Sequence, residues 1–300
     1  MRAGGIGTKA IGNGAIVNAM SVDIEEYFQV GAFEGTIARD DWDAFASRVV
    51  ASTGRVLDLY AAAGVKATFF TLGWVAERHP SLIRRIVSGG HELASHGYAH
   101  DRVTSFTPAQ FREDLRRARG LLEDAGGVTI RGYRAPSFSI GKANAWALNV
   151  LAEEGYAYSS SVAPFAHDHY GWPDAPRFAH KPVAGSDLIE VPITTARVGG
   201  RMMSFGGGFF RLFPYAFAHW AMGQVNREER QAAVFYFHPW EVDPDQPRVA
   251  GAPLKSRLRH YANLSAMAGK LSKLLHNFRW DRMDHVFLGT SAAAPLADAA

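Results

Sequence analysis

Ile16-Val-Asn-Ala-Met-Ser-Val-Asp23 is a short run of β-prone residues that ends on a carboxylate. A helical pattern follows from about Trp42 to Ala63 and stops at Gly64, and the residues from Lys66 to Leu72 indicate a second strand. Further strands are predicted at 92–95, 130–134, 156–159, 188–193 and 233–237. Seven strands that alternate with helices predict parallel βα units, and they favour an α/β barrel, which need not be complete, over an open sheet.

The predicted helices carry their own boundary signals. Pro80 opens a short helix that ends at Gly89-Gly90, and a longer one is predicted from about 142 to 154. Thr107-Pro-Ala-Gln110 has the composition of a capping box with proline at the first helical position, so a helix is expected from there to about Ala125.

Composition sets the broad class and the domain organisation. The chain has 300 residues, 47% of them hydrophobic, which is enough for one large α/β domain or two smaller ones. It has no cysteine, so disulfides, thiolate metal ligands and cysteine nucleophiles are excluded. We expect a flexible leader at 1–15, the barrel at 16–250, a helical extension packed on it at 251–289 and a disordered tail at 290–300.

Charge and hydropathy limit the classes of partner that the sequence predicts. The net charge is only +3, although the stretch 251–285 holds seven Lys or Arg against two Asp. That excess is most simply the solvated face of an amphipathic helix whose Leu258, Leu264, Leu271 and Leu274 point inward; an acidic polysaccharide is the other reading, and no nucleic-acid partner is expected. No secretory signal or membrane span is recognisable, which favours a cytoplasmic protein, free or peripheral to the inner membrane.

Polar motifs follow several of the predicted strands. His96 and His100 stand four residues apart, Asp23 and Glu25 end the first strand, and His238 follows the last. In a chain with twelve histidines the His-x-x-x-His pair alone is a weak signal. In βα barrels, however, sites form at the carboxyl ends of the strands, and that shared placement makes a metal site the leading hypothesis.

Strand geometry separates the roles of the two carboxylates. Asp23 and Glu25 point the same way about 6.6 Å apart, so one can bind a metal while the other stays free. A divalent metal on two histidines and one carboxylate lowers the pKa of a bound water, and the free carboxylate can take the proton. Zn²⁺ suits this ligand set best, with Co²⁺ or Mn²⁺ as alternatives. Arg134 could hold that carboxylate ionised, or could be a surface salt bridge.

The segment Phe237-His238-Pro239-Trp240-Glu241 follows a strand that has the pattern of a buried one. His238 can protonate a leaving nitrogen, as amide hydrolysis requires, or can simply be a hydrogen-bonded structural histidine. Trp240 can wall a pocket, and Glu241 can orient the imidazole or bind substrate, but loop packing explains both equally well.

Four of these motifs, in this order, resemble the polysaccharide deacetylases of the NodB homology type, carbohydrate esterase family 4. Ser21-Val-Asp23-Ile-Glu25-Glu26 is similar to the first motif, His96 to His100 to the second, Arg134-Ala-Pro136 to the third and Phe237-His238-Pro239 to the last. The segments 206–214, 238–248 and 259–264 resemble a branch associated with exosortase and exopolysaccharide gene clusters, which has a C-terminal extension of unknown function.

The resemblance implies a distorted, incomplete (β/α)7-type barrel with a C-terminal helical extension, and metal-dependent removal of N-acetyl groups from hexosamine-containing glycans. It implies Asp23 as general base, His238 as acid and Arg134 as the group that steadies the base. Glu25, His96 and His100 are the implied metal ligands, with Glu26 as a less favoured substitute for Glu25. We expect substrate contacts from Pro136, Trp240 and Glu241.

One departure from the family pattern concerns the acid. Relatives usually have an aspartate where this chain has Ser159, and that carboxylate could tune the histidine. Two alternatives therefore stay open. One is a related amidohydrolase acting on a small cyclic amide or ureide in a closed pocket, and the other is a non-catalytic barrel that binds glycan on exposed tryptophans such as Trp172, Trp220 and Trp240.

Overall fold

A computed structural model describes residues 16–167 and 170–289. The strands are β1 (Val17–Ile24), β2 (Thr68–Thr71), β3 (Glu92–Ser95), β4 (Gly132–Tyr133), β5 (Tyr158–Ser159), β6 (Ile189–Glu190), β7 (Thr195–Val198), β8 (Arg201–Ser204), β9 (Val234–Phe237) and β10 (Arg279–Asp281). The α-helices are α1 (Val49–Ala63), α2 (Gly73–Arg78), α3 (Pro80–Ser88), α4 (Pro108–Gly126), α5 (Trp146–Glu153), α6 (Gly207–Leu212), α7 (Tyr215–Gly223), α8 (Leu254–Tyr261), α9 (Leu264–Asn277) and α10 (Met283–Phe287). Short 3₁₀ segments at 39–44, 103–105, 136–138, 142–144 and 239–242 and a π-helical one at 224–228 complete the described elements.

Eight of the strands form one curled parallel sheet. Strands β1 to β6 pair in sequence order, and β9 and β10 both pair with β1. Within the described residues no ladder joins β6 to β9, and Val234 N donates instead to Thr194 Oγ1 at 2.6 Å across the gap. This open seam confirms the prediction of an incomplete parallel barrel. All residues of β2, β3 and β9 are buried, as expected for strands covered on both faces.

The seven predicted strands are all present, most of them shorter than expected, and the start of α4 is confirmed. Thr107 N donates to Gln110 Oε1 at 2.9 Å and Gln110 N donates to Thr107 Oγ1 at 3.4 Å, which is the reciprocal capping box. The sequence interpretation missed the β7–β8 hairpin. Its turn is Gly199-Gly200, with φ of 53° and 82°, a backbone that glycine adopts without strain.

The extension differs from its prediction in two ways. Leu264, Leu271 and Leu274 are buried as expected, but Leu258 is 64% exposed. The reason is a break at Asn263, whose φ of 55° ends one helix and starts the next, so α8 and α9 do not share one apolar face. The extension also supplies β10, which pairs with 17–19 of β1, so it is part of the sheet as well as a layer on it.

Two expectations made from sequence, the flexible leader at 1–15 and the disordered tail at 290–300, lie outside the described residues. Within the described part of the chain, every helix is too short or too polar to cross a bilayer.

Candidate active site

The carboxyl ends of β1, β3 and β9 bring the predicted site residues together. Asp23 lies in β1 and Glu25 directly after it, His96 follows β3, and His238 follows β9. Because parallel strands present their carboxyl ends on the same edge of the barrel, these side chains converge although Asp23 and His238 are 215 positions apart in the chain.

Glu25, His96 and His100 form a group whose ligand atoms all lie within 4.8 Å of one another. His96 Nδ1 lies 2.8 Å from the carbonyl oxygen of Arg134, which can only accept, so this nitrogen carries the proton and Nε2 is left to bind a metal. Burial lowers the pKa of His96 to about 4, which keeps the imidazole neutral and able to act as a ligand.

The turn after β3 is shaped to aim both imidazoles at one point. Gly97 has a φ of 76° and His100 a φ of 59°, a left-handed conformation that is uncommon for a residue with a side chain. The two histidine rings stand 5.5 Å apart, centroid to centroid. Backbone strain of this kind clusters at functional sites, where surrounding contacts hold it in place.

Glu25 is the carboxylate of this group. Its Oε1 accepts from Trp240 Nε1 at 3.0 Å, and its Oε2 lies 2.7 Å from His100 Nε2 but, among the described residues, accepts no well-directed hydrogen bond. Burial favours a higher pKa for Glu25, but the facing His100 and His238 hold that pKa well below the usual carboxyl range. A buried, ionised carboxylate beside two imidazoles, of which His96 presents an unprotonated Nε2, fits a divalent cation.

Glu26, the substitute considered from sequence, is engaged elsewhere. Its carboxylate accepts from the Ser47 hydroxyl and from Arg48 N at 2.9 Å, and it is not part of the ligand group. The geometry therefore favours Glu25 at this position.

Asp23 lies beside the ligand group and forms an ion pair with Arg134. Arg134 Nη1 donates to Asp23 Oδ1 at 2.6 Å and to Ser21 Oγ at 2.9 Å, and the guanidinium sits 4.0 Å from the ring centre of Phe70. Arg134 is fully buried, so it is no surface salt bridge. With Oδ1 held by Arg134, Oδ2 remains on the side of His238, 4.0 Å from its Nε2.

His238 faces Asp23 and Glu25 and is held from behind by Glu241. His238 Nδ1 donates to Glu241 Oε1 at 2.9 Å, which leaves Nε2 turned toward Glu25 Oε1 at 3.7 Å. Burial by itself lowers the pKa of His238, but Glu25, Glu241 and Asp23 together raise it to about 9. If a cation neutralises Glu25, Glu241 and Asp23 are the carboxylates that still favour the protonated ring.

Glu241 is held in turn by a residue that the sequence interpretation gave no role. Arg211 Nε donates to Glu241 Oε2 at 2.6 Å, and both side chains are buried. Glu241 lies under the imidazole and does not line the cleft, so the expected substrate contact is replaced by ring orientation. Arg211 belongs to the 206–214 segment, so a sequence signal existed without an indication of its purpose.

Ser159 is buried and turned into the protein interior. Its hydroxyl donates to Ser161 Oγ at 2.9 Å, and Ser161 Oγ in turn accepts from Ala135 N at 2.9 Å. Ser159 therefore offers His238 no carboxylate. The carboxylate that contacts the imidazole is that of Glu241, three residues after His238 in the chain.

The site lies at the floor of a cleft of about 410 Å³. Trp240 lines it but is only 6% exposed, stacked between His238 and His260, so it is no exposed glycan platform. Pro136 is buried and does not line the cleft, which its neighbours Ser137 and Phe138 do. The lining residues that sequence reasoning missed include Arg102, Ser137, Phe138, Tyr170, Phe209, Tyr236, Lys255 and Arg259.

The fold and this site define an α/β barrel protein whose carboxylates and histidines converge at the carboxyl edge of the sheet. Residues 40–159 match the family described as polysaccharide deacetylase, and residues 160–288 match the domain of unknown function DUF3473. The chain therefore resembles the polysaccharide deacetylase family in its first half and matches DUF3473 in its second half.

Curated relatives agree with this family. A chitooligosaccharide deacetylase of Bradyrhizobium sp. (strain ANU 289) is 31% identical over 52% of this chain and 65% of its own length. A peptidoglycan deacetylase of Helicobacter pylori is 29% identical over 49% of this chain and 50% of its own length. The chain thus matches less than two thirds of the length of either relative.

Solved structures share the fold. A protein assigned as a polysaccharide deacetylase from Mycobacterium smegmatis has a TM-score of 0.61 at 21% identity and covers 99% of both chains. An allantoinase has a TM-score of 0.60 at 17% identity over 96% of this chain and 94% of its own.

The boundary between the two family matches is not a boundary in the structure. It falls between residues 159 and 160, yet β5 pairs with β4 on one side and with β6 on the other. The DUF3473 region therefore supplies the second part of the barrel, including β9 and His238, as well as the helices α8 to α10.

Proposed function

We propose that this protein is a metal-dependent deacetylase that hydrolyses N-acetyl groups of a hexosamine-containing glycan. The observation that carries the proposal is the placement of Asp23 and His238, 4.0 Å apart, beside the Glu25, His96 and His100 group, each with its own partner of opposite charge. Amide hydrolysis needs a base and an acid close to the same reacting bond, and a bound metal beside them assists the reaction.

A divalent cation held by Glu25, His96 and His100 would polarise the amide carbonyl and lower the pKa of the attacking water. Zn²⁺ suits two imidazoles and one carboxylate best, with Co²⁺ or Mn²⁺ as alternatives. The ligand group supports the presence of such an ion, and its donor types set the order of preference.

Asp23 and His238 divide the proton transfers. Asp23 Oδ2 takes a proton from the attacking water, while Arg134 keeps the other oxygen fixed. As the new C–O bond forms and the C–N bond breaks, His238 Nε2 gives its proton to the leaving nitrogen. Glu241 stabilises the protonated ring until that transfer, and the products are acetate and a free amine.

An open cleft favours a glycan over a small cyclic amide. The fold is shared with an allantoinase, but at that level of identity only the fold is shared. The cleft here reaches the surface, where its lining includes the exposed side chains of Leu212, Lys255 and Arg259. The segments that resemble the exopolysaccharide-associated branch support an exopolysaccharide, made at the cytoplasmic side of a membrane, as the natural polymer.

Acetate release from an N-acetylglucosamine oligomer tests the proposal. Metal-stripped protein should be inactive, and added Zn²⁺ or Co²⁺ should restore acetate release in the wild type and not in His96→Ala. Hydrolysis of a cyclic ureide is measured beside it. If one metal ion binds per chain and only the ureide is cleaved, the amidohydrolase alternative replaces the proposal. If metal binds and neither substrate reacts, the non-catalytic glycan-binding alternative does.

A further inference from the structure

Exposed large apolar side chains are concentrated beside the mouth of the cleft. Six such side chains are exposed among the described residues, and Val50 on α1 is one of them. The other five fall in the two segments 212–220 and 254–258. They are Leu212 (46%), Phe213 (38%), Trp220 (43%), Leu254 (69%) and Leu258 (64%). Single exposed apolar residues are ordinary on protein surfaces, whereas a concentration of them marks a surface that binds something.

Contacts join these two segments into one surface. The Arg211 guanidinium donates to the carbonyl oxygens of Arg259 at 3.2 Å and His260 at 2.6 Å, which fastens the end of α8 onto α6. From Phe213 the surface continues through Phe217, 5.0 Å away between ring centres, to Trp220, a further 5.9 Å. We call Leu212, Phe213, Phe217, Trp220, Leu254 and Leu258 the apolar strip.

Helix α8 divides its exposed side chains by chemistry. Leu254 and Leu258 lie one turn apart on one side, and Lys255 and Arg259 lie one turn apart on the side that lines the cleft. Only one residue of this helix, His260, is buried, so α8 lies on the molecular surface.

The stretch of chain that carries Leu254 and Leu258 has charge of one sign. Between Asp245 and Asp281 the sequence contains seven Lys or Arg and no acidic residue. Like charges one helical turn apart repel each other, so Lys255 and Arg259 are better accommodated opposite an anionic surface. A partner that is apolar in depth and negatively charged at its surface satisfies both the leucines and the cations.

We propose that the apolar strip and the cations of α8 dock this protein peripherally on an anionic phospholipid bilayer, with the mouth of the cleft at the bilayer surface. Leu254 and Leu258 enter the boundary between headgroups and acyl chains, and Lys255, Arg257 and Arg259 contact the lipid phosphates. A second copy of the chain fits this surface less well, because a two-fold interface would bring the acid-free basic segment against itself. The docking does not depend on the proposed deacetylase activity.

Co-sedimentation of the full chain with vesicles tests the proposal. Binding is expected to vesicles that contain phosphatidylglycerol, to be weaker with phosphatidylcholine alone, and to decrease with salt. Leu254→Ser combined with Leu258→Ser should weaken binding by roughly tenfold or more. Arg257→Gln should weaken it by roughly fivefold at low salt. Val50→Ser and Arg84→Gln are the matched controls on α1 and α3, and they should bind like the wild type.

Three results would overturn the docking proposal. One is no binding to anionic vesicles, and another is binding that the leucine variants leave unchanged. The third is a dimer, seen by light scattering, that the leucine variants convert to a monomer while vesicles are not bound. Acetate release from a soluble oligomer should be the same in the leucine variants and the wild type, since neither leucine lines the cleft. That readout separates a failure of docking from a failure of the proposed activity.

Discussion

Asp23 and His238 both line the cleft, with Asp23 Oδ2 4.0 Å from His238 Nε2, and neither belongs to the group of candidate metal ligands. Asp23→Asn and His238→Ala should therefore each retain one metal ion per chain and lose roughly 100-fold or more in kcat. Asparagine can still accept from Arg134, so the loss reports the missing base and not a displaced guanidinium. Metal content by atomic emission and initial rates of acetate release measure the two effects separately.

The matched control for the acid is His276→Ala. His276 is exposed on the last turn of α9 and should change neither quantity. Full turnover by metal-loaded Asp23→Asn would remove Asp23 from the role of base.

Glu241 acts on His238 through its negative charge as well as by holding the ring in position. Glu241→Gln should lower kcat by roughly tenfold or more with little change in KM, because the residue touches His238 and not the cleft. Glu241 raises the pKa of His238, so its neutralisation lowers that pKa. An acid must be protonated to act, and the alkaline limb of the kcat profile should therefore move to lower pH.

The matched control breaks another Arg–Glu ion pair, one whose residues do not line the cleft. Arg177 Nη1 donates to Glu229 Oε1 at 2.7 Å, so Glu229→Gln should reproduce any general loss of stability while the pH profile stays in place. A Glu241→Gln profile that coincides with that of the wild type would reduce Glu241 to a packing role.

Residue types and spacing were enough to indicate Asp23, Glu25, His96, His100 and His238 as candidate site residues, because they follow apolar runs at strand ends, whereas their separate roles were implied only by the family resemblance. Residue types and spacing could not indicate the buried residues that hold these side chains in position. Arg211 reaches Glu241 over 30 positions and the carbonyl of His260 over 49, and nothing in the local sequence records those contacts. Trp240 was expected either to wall a pocket or to be an exposed platform for glycan, and local sequence did not show that its indole is buried against Glu25 and His260 while it lines the cleft.

At the scale of elements, the buried carboxyl group of Glu92, at the amino end of the sheet, connects the sheet to helix α10 of the extension. Glu92 in β3 accepts from the Thr68 hydroxyl, from Tyr158 Oη at 2.9 Å and from Asp284 N at 3.2 Å. Met283 N donates to Thr68 Oγ1 at 2.8 Å, so this network ties the start of α10 to β2 and β3. Burial and the neighbouring Asp284 raise the pKa of Glu92 to about 8.

A raised pKa makes this attachment sensitive to pH. Between the ordinary value of 4.5 and about 8, Glu92 is protonated in the folded protein and ionised in the unfolded chain. The folded state then binds more protons, so its stability decreases as the pH rises through that window. Glu92→Gln resembles the neutral carboxyl and should remove this dependence.

Urea unfolding at pH 5 and pH 8 measures the effect. The variant should gain stability relative to the wild type between the two pH values, while Glu113→Gln, an exposed change on α4, should follow the wild type at both. Parallel pH dependences for Glu92→Gln and the wild type would contradict a protonated Glu92.

The elements themselves were predictable to the extent that they are long or well capped. Seven strands and the capped start of α4 follow from local pattern, but β10 has only three residues and no period to detect. Leu258 fits the apolar spacing of one long helix, and only the left-handed Asn263 shows that α8 and α9 diverge. The Gly199-Gly200 turn of the β7–β8 hairpin was a readable signal that went unused.

At the scale of the whole molecule, the same strand pairing and the same buried arginine hold both the extension and the barrel in place. Strand β10 pairs with the beginning of β1, the strand that ends in Asp23. Arg211, which precedes β9, donates to Glu241, the partner of His238, and to carbonyl oxygens at the end of α8. The position of Glu241 behind the candidate site and the position of the surface helix therefore depend on the same buried guanidinium.

A chain that ends at Gly251 tests whether the barrel at 16–250 is a domain of its own. We expect it to lose both the cooperative thermal transition and metal binding. Residues 17–19 of β1 would lose their parallel neighbour, and Arg211 would lose its carbonyl acceptors while its charge stays buried beside Glu241. Circular dichroism melts and metal titration give the readouts, and removal of 290–300 alone, the predicted tail, is the control that should melt like the full chain. A truncated chain that melts cooperatively at the full-chain temperature would show instead that the extension is only a layer on a self-sufficient barrel, as the sequence by itself suggests.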